Sequence, residues 1–404
     1  MSFQEIAECR SCKHNSFKVI ISFGDQPLAN SLRSDKLLGE AKYPLTLIEC
    51  LSCTLVQLSI DVDARKMFDT YDWVTGTSRM AKDSALSLFE AIKQMTPIAI
   101  SDAKICEIAS NDGTFLSPFK RDGSKILGIE PATNLADYSN SLDIPTINKY
   151  FTSNLASEIF EKHGVQDVVI ARNVLAHVPN PDDFMKGIAT LIGLTGIGYI
   201  EVHNAASIFE GLQYDSIYHE HASYFSKISL NNLCIQNGLG VIKFVESQIG
   251  GGNLGFFVKS NENTTLKDFP ILKLENESYE KFDWTIWAKR VQDHRDEINS
   301  YLMQKIDRTG VAFGASARGS TLLNYCSFQE KLMGILDNNE LKHGKFSPGL
   351  PLKISEVEKI KSLQPEYVFA LAWNFEKEML DQLRTLNYRG EIIIPFPKIR
   401  IFEI

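Results

Sequence analysis

The 404-residue chain lacks several features that would narrow its function at once. No apolar run approaches the ~18–20 residues of a membrane span, so no spanning helix is expected. No basic tract is present: 50 Asp and Glu outnumber 42 Lys and Arg, for a net charge of −8. An electrostatic grip on nucleic acid or an anionic membrane is therefore not expected. The opening MSFQEIAECR has no basic start followed by an apolar core, so no secretory signal is expected. Nor is this a disordered composition, with 44% hydrophobic and 23% charged residues. At roughly 100–200 residues per domain, the length allows about two to four domains.

What is present begins with cysteine. Of seven, Cys106, Cys234 and Cys326 stand alone in apolar or helical surroundings. The other four form two Cys-x-x-Cys pairs, Cys9 with Cys12 and Cys50 with Cys53. An odd count without a signal sequence fits a reducing cytoplasm, where clustered cysteines hold metal more often than disulfides. Each pair aims two thiolates at one ion, and tetrahedral zinc takes four at about 2.3 Å. Four protein ligands leave no open position, so the site should be structural.

From about residue 103 the pattern becomes alternating strand and helix. Strands are expected at 103–108, 125–129, near 145–146, and at 167–171 and 198–202, with a helix from about Thr114. Such alternation implies a parallel sheet. A helix and a strand follow over 225–250, then a turn at Gly250–Gly252 and a strand over 254–258. Helical spacing over 277–306 suggests a long connecting helix. A second parallel sheet is expected from strands at 311–314, 333–336, 367–370 and 391–394.

Three constellations carry chemistry. The first is Glu107-Ile-Ala-Ser-Asn-Asp-Gly113 after a strand, with Glu130 after the next. A tight turn there offers main-chain N–H groups, and an acid at the second strand end can accept bonds from ribose hydroxyls. The glycines do not match Gly-x-Gly-x-x-Gly, so a nicotinamide site fits poorly. The acidic turn suits the sulfonium and ammonium of S-adenosylmethionine, or it is an ordinary strand–turn–helix. The second is a concentration of histidine: His177, His203, His219 and His221, with Glu201, Tyr218, Glu220 and Tyr224. Imidazole, carboxylate and phenol move protons near neutral pH. A catalytic metal on His219 and His221 is a rival reading. The third is Gly314-Ala-Ser-Ala-Arg-Gly-Ser320, whose helix start could bind phosphate but lacks a P-loop lysine. Arg318 would otherwise be a solvated residue, and Trp373-Asn374 could line a pocket or simply pack.

Together these residues resemble the bacterial sugar C-methyltransferases that act on nucleotide-linked deoxyketosugars. The resemblance spans nearly the whole chain. Beyond the cysteine pairs it rests on Phe23-Gly-x-Gln-Pro-Leu-Ala-Asn30, Glu107 to Gly113, Gly128-Ile-Glu-Pro131 and Ala171 to Pro179. Its most specific marks are Tyr218-His-Glu-His221 with Tyr224-Phe-Ser226, and Gly314 to Cys326. It implies an α/β fold: a Rossmann-type methyltransferase domain with an N-terminal zinc-binding module and a C-terminal Rossmann-like α/β domain. The expected boundaries are 1–65 for the zinc module, 66–260 for the methyltransferase domain, 261–308 for a helical linker and 309–404 for the last domain.

The implied chemistry adds a methyl group at carbon 3, or else carbon 5, of a 4-keto-6-deoxyhexose on a nucleoside diphosphate. A base removes a hydrogen next to the ketone, and the enolate carbon attacks the sulfonium methyl. His221 is the expected base. Tyr218 and His177 would orient it or bond the enolate oxygen, and Glu220 would fix an imidazole tautomer. Asn111, Asp112 and Gly113 would hold the methionine part, with Glu107 in the same turn, Glu130 on the ribose and Asn173 at the same strand edge. Tyr71 and Ser78 would meet the cofactor from a loop. Tyr224, Arg318, Lys342, Trp373 and Asn374 would contact substrate. His203 departs from the resemblance, since a proline is common there. A monomer or weak dimer is expected. An O- or N-methyltransferase of a sugar or related small molecule is the alternative.

Overall fold

A computed structural model describes residues 3–36, 39–68, 74–247, 251–264, 266–274, 282–305 and 307–404. Its centre is a seven-stranded sheet. In spatial order the strands are Leu239–Ser247, Asn253–Ser260, Ile197–His203, Val168–Arg172, Lys104–Ile108, Lys125–Ile129 and Thr146–Ile147. The last five pair in parallel, whereas Asn253–Ser260 runs antiparallel to both of its neighbours. Val168, Val169, Ile170 and Ala171 are all buried, as expected of a strand covered by helices on both faces. The helix Arg79–Met95 covers one face through Ala85, Leu88, Phe89, Ile92 and Met95, a 3.6-residue stripe.

The helix expected from Thr114 begins later, at Ser117. Gly113 has φ +77, and Pro118 suits only the first turn of a helix. The residues between form the turn that faces the strand ends.

A second sheet has the order Ile354–Ser355, Ile335–Leu336, Gly310–Phe313, Tyr367–Ala370, Glu391–Ile394 and Arg400–Glu403. It is parallel apart from Arg400–Glu403, an edge strand absent from the sequence expectation. That strand returns after Pro395 and Pro397.

The N-terminal sheet holds Phe17–Pro27, Lys42–Cys50 and Val56–Leu58. Its fourth strand comes from far along the chain: Ser223–Tyr224 pairs antiparallel with Val56 and Gln57. The cysteine-bearing module thus grips the segment immediately after Tyr218–His221.

The helix Trp284–Met303 is more than a connector. It buries Trp284, Trp287, Val291, His294, Ile298 and Leu302. All but His294 lie in one core with Leu45, Leu47 and Val56 of the N-terminal sheet and Leu322 and Phe369 of the C-terminal sheet. Each large side chain buried there contributes roughly 1.5–3 kcal/mol. Among the described residues no helix is long and apolar enough to cross a membrane.

Candidate active site

The four Sγ atoms of Cys9, Cys12, Cys50 and Cys53 lie within 4.8 Å of one another. Cys9 and Cys53 are 3.6 Å apart, and Cys12 and Cys50 3.5 Å. Four sulfurs placed about 2.3 Å from a tetrahedral zinc stand about 3.8 Å apart, so the donor set fits that ion. Gln57, opposite Ser223, donates its amide to Cys9 Sγ at 3.2 Å. Among the described residues this is the only Cys, His, Asp and Glu group with metal-holding spacing. The rival metal reading of His219 and His221 does not hold. His219 Nε2 donates to the Pro44 carbonyl at 3.2 Å, while His221 is engaged elsewhere.

The turn after Lys104–Ile108 has the features of a cofactor cradle. Ala109 and Asn111 hold φ +55 and +51. A Cβ on Gly113 would meet Ile144 at 2.5 Å, so only glycine lets the turn close there. Glu130 accepts the N–H of Asn111 at 2.8 Å and that of Ala132 at 2.9 Å. Burial raises its carboxyl above the ordinary range. Glu107 is raised well above that range, chiefly by burial. Glu107 Oε2 and Ser110 Oγ are buried without hydrogen-bond partners. Orphaned groups of this kind call for a partner from outside the chain, which fits S-adenosylmethionine. Asn173, at φ +50, bonds Glu201 from the end of the next strand.

Two expectations for this cradle are altered. Asn111 Oδ1 accepts the Thr75 N–H at 2.9 Å, and Asp112 Oδ2 the Gly76 N–H at 2.8 Å. Those side chains are held here by the loop rather than left open. The Ser78 hydroxyl caps the helix Arg79–Met95 by accepting from Ala81. The residue also lines a cavity of about 840 Å³ with Arg172, Glu201 and Phe375. Tyr71 lies outside the described residues.

Next along the same sheet edge the structure brings three imidazoles together. The His221 ring lies 4.9 Å from that of His177 and 6.4 Å from that of His203. His221 Nδ1 faces the Ser216 carbonyl at 2.9 Å, and its Nε2 faces the Tyr218 hydroxyl at 2.9 Å. A carbonyl only accepts, so Nδ1 carries the proton and Nε2 accepts from Tyr218. Burial and then the two neighbouring histidines push His221 well below the ordinary histidine range. His177 Nδ1 donates to the Glu220 carbonyl at 2.6 Å, and burial lowers its pKa as well.

Main-chain carbonyls thus fix both tautomers, which corrects the role expected of the Glu220 carboxylate. That carboxylate instead accepts two contacts from Asn30, at 2.7 and 2.9 Å. Burial pushes it up to about 7. Tyr224, expected on substrate, is 3% exposed and backs the His221 ring at 6.1 Å.

The C-terminal residues meet this site through a polar strut. Arg318 grips Asp215 with Nε at 2.9 Å and Nη2 at 2.8 Å, and donates to Gln213 at 3.0 Å. Its guanidinium stacks 4.8 Å from the Trp373 ring, whose Nε1 donates to Asp215 at 2.8 Å. The charge expected to bind substrate is therefore already paired. Lys342 likewise turns inward, to the Ala315 carbonyl at 2.9 Å and Asp337 at 3.6 Å. Asn374 is half-buried beside Trp373.

Sequence reasoning missed Gln213, Asp215 and Ser216. They form a buried polar run just before Tyr218, and that run was the available signal. Asn30 stood in a quoted motif without a role.

Comparisons with known proteins match three successive stretches of the chain. Residues 9–68 match a zinc binding domain family, residues 80–243 a methyltransferase domain family and residues 248–397 the C-methyltransferase C-terminal domain family. The C-methyltransferase NovU of Streptomyces niveus is 28% identical over 98% of this chain and 97% of its own length. Among solved structures, magnesium protoporphyrin IX methyltransferase of Synechocystis PCC 6803 with bound SAM aligns at 13% identity and TM-score 0.33. The alignment covers 45% of this chain and 79% of that one. A protein of Pyrococcus horikoshii aligns at 12% identity and TM-score 0.38, over 48% of this chain and 97% of that one.

Proposed function

We propose a substrate for a chain that belongs to the three-domain, S-adenosylmethionine-dependent C-methyltransferases. It is a 4-keto-6-deoxyhexose linked to a nucleoside diphosphate, methylated next to the ketone, at carbon 3 in preference to carbon 5. The sugar reading is supported by the sequence resemblance. The mechanism is supported by one observation above the others, the Tyr218–His221 hydrogen bond with its fixed direction.

Methylation at carbon needs an electron pair there, and a hydrogen beside a ketone is acidic enough for an enzyme base to remove. Tyr218 donates to a lone pair on His221 Nε2. As the carbon's proton passes to the Tyr218 oxygen, the hydroxyl proton passes to Nε2. The electron pair left behind spreads onto the ketone oxygen as an enolate. His221 Nε2 holds the lone pair that takes the proton, because its Nδ1 is committed to the Ser216 carbonyl. His177, whose Nδ1 donates to the Glu220 carbonyl, packs against the His221 ring and orients it. Bound S-adenosylmethionine supplies an electrophilic methyl group. Glu130 would hold its ribose, and the Asn111–Gly113 turn its methionine part. The boundaries 1–65, 66–260, 261–308 and 309–404 remain our division of the chain.

The test is mass spectrometry after incubation with S-adenosylmethionine and a panel of nucleotide 4-keto-6-deoxysugars in heavy water. We expect a gain of one methyl, with solvent deuterium in recovered ketosugar. Methylation without exchange would point to oxygen or nitrogen. Cofactor binding without any methylation would retire the sugar class.

A further inference from the structure

His203 ends the strand Ile197–His203 and is the third member of the imidazole row. The reaction as derived above does not use it. Its protonation is fixed by a chain of contacts. Gln213 donates its amide N–H to the Gly251 carbonyl at 2.6 Å. Its Oε1 takes a hydrogen bond from Arg318 Nη2 at 3.0 Å, and an arginine can only donate. Both contacts orient the Gln213 amide the same way, so the oxygen faces His203 Nε2 at 3.2 Å. Nε2 therefore carries the hydrogen, and Nδ1 holds a lone pair.

No described residue donates to Nδ1, and the atom is not among the buried polar atoms that lack partners. Burial, followed by the Arg318 charge, holds the ring neutral, with its pKa lowered to about 3. The result is an uncharged acceptor at a strand end, its ring 6.4 Å from that of His221. A ligand at this sheet edge has to supply a donor or leave that lone pair unmet.

We propose that His203 Nδ1 accepts a hydrogen bond from a hydroxyl on the hexose ring next to the methylated carbon, making His203 a specificity-determining residue. The assignment rests on the sugar reading above with methylation at carbon 3, since the carbons next to carbon 5 bear no hydroxyl. It selects a substrate that keeps that hydroxyl over one that is deoxy there. The strut Arg318–Gln213 is then a positioning device: it sets which nitrogen of His203 faces the ligand.

The experiment compares two nucleotide 4-keto-6-deoxysugars that differ only in that hydroxyl. The wild type, His203→Phe and His203→Asn are each assayed for kcat/KM. Phenylalanine keeps an aromatic ring and removes both nitrogens, the lone pair included. Asparagine places an oxygen near the Nδ1 position. The wild type should prefer the hydroxylated sugar by about 10–100-fold, in line with a site built to bond a hydroxyl. His203→Phe should bring that ratio to near one, and His203→Asn should restore part of it.

An equal loss on both sugars in both variants would reduce His203 to a structural role and overturn the proposal. An unchanged ratio in His203→Phe would also overturn it. Failure of the wild type on every sugar of the panel would instead sink the sugar reading, and this proposal with it. Nitrogen NMR of labelled histidine gives a substrate-independent check. A protonated Nδ1 on His203 in the free protein would contradict the assignment.

Discussion

Two strand–turn–helix units in this chain are built alike and end up differently. In each, an acid after the second strand accepts a main-chain N–H from the first turn. Glu130 takes that of Asn111 at 2.8 Å, and Asp337 takes that of Ala315 at 2.7 Å. The first unit is closed only in part, by the Thr75–Gly76 loop. Its acid has no cation partner among the described residues, and it contains two buried polar atoms without partners. The second is closed by its own residues. Lys342 pairs with Asp337 and bonds Ala315, and Arg318 at the helix start is spent on Asp215. One motif thus keeps unmet polar groups in the first unit, where we propose that the cofactor binds, and becomes a polar strut in the second, where the chain meets them itself.

The largest effect should come from breaking the strut. Asp215→Ala leaves Arg318, 13% exposed, without its counter-charge. Removing one partner of a buried pair costs about 3–5 kcal/mol. Denaturant unfolding should show that loss. Asp215 adjoins Ser216, whose carbonyl orients His221, so methyl transfer should fall as well.

A second prediction concerns pH. Glu220 is held up to about 7 in the folded protein, against an ordinary 4.5. The folded state therefore keeps this proton where the unfolded state has lost it. The stability from this group is fully present below about pH 4.5 and is lost as pH rises to about 7, amounting to roughly 3 kcal/mol. Glu220→Gln should flatten the melting temperature across that window and raise it at pH 8. An unchanged pH profile would place the proton elsewhere.

A third prediction addresses the zinc module. Because its sheet includes Ser223–Tyr224, chelation should disturb the histidine loop as well as the module. Hydrogen exchange at Ala222–Tyr224 should speed up on chelator treatment, and the strands of the C-terminal sheet should change less. The smallest effect belongs to the partly open turn. Glu107→Gln replaces a buried carboxyl that is already raised toward its neutral form. Free-protein stability should change little, since glutamine keeps the shape of the neutral carboxyl. Titration with S-adenosylmethionine should nevertheless show a weaker dissociation constant.

Much of this was legible in the sequence because it is written locally. Two thiolates at i and i+3 share a turn, so Cys9–Cys12 and Cys50–Cys53 could be read as one metal module. Alternating apolar runs and helical stretches gave away both α/β sheets. What could not be read depends on long-range placement. The acceptor that fixes His221 is the Ser216 main-chain carbonyl, which any residue would provide. Arg318 looked like an anion binder because its partner, Asp215, lies more than a hundred residues earlier in the chain. The helix Trp284–Met303 looked like a connector because its burial needs two sheets to meet around it. The strand Ser223–Tyr224 is too short to announce itself, yet it ties the cysteine module to the histidine loop.

The contrast between the partly open and the closed turn is tested most directly by calorimetric titration of S-adenosylmethionine into the wild type, Glu130→Ala and Asp337→Ala. The account predicts one site per chain, weakened at least about tenfold in Glu130→Ala, the loss expected when a charge-assisted hydrogen bond is removed. Asp337→Ala should bind as the wild type does. A second cofactor site, or loss of binding in Asp337→Ala with Glu130→Ala unaffected, would contradict it.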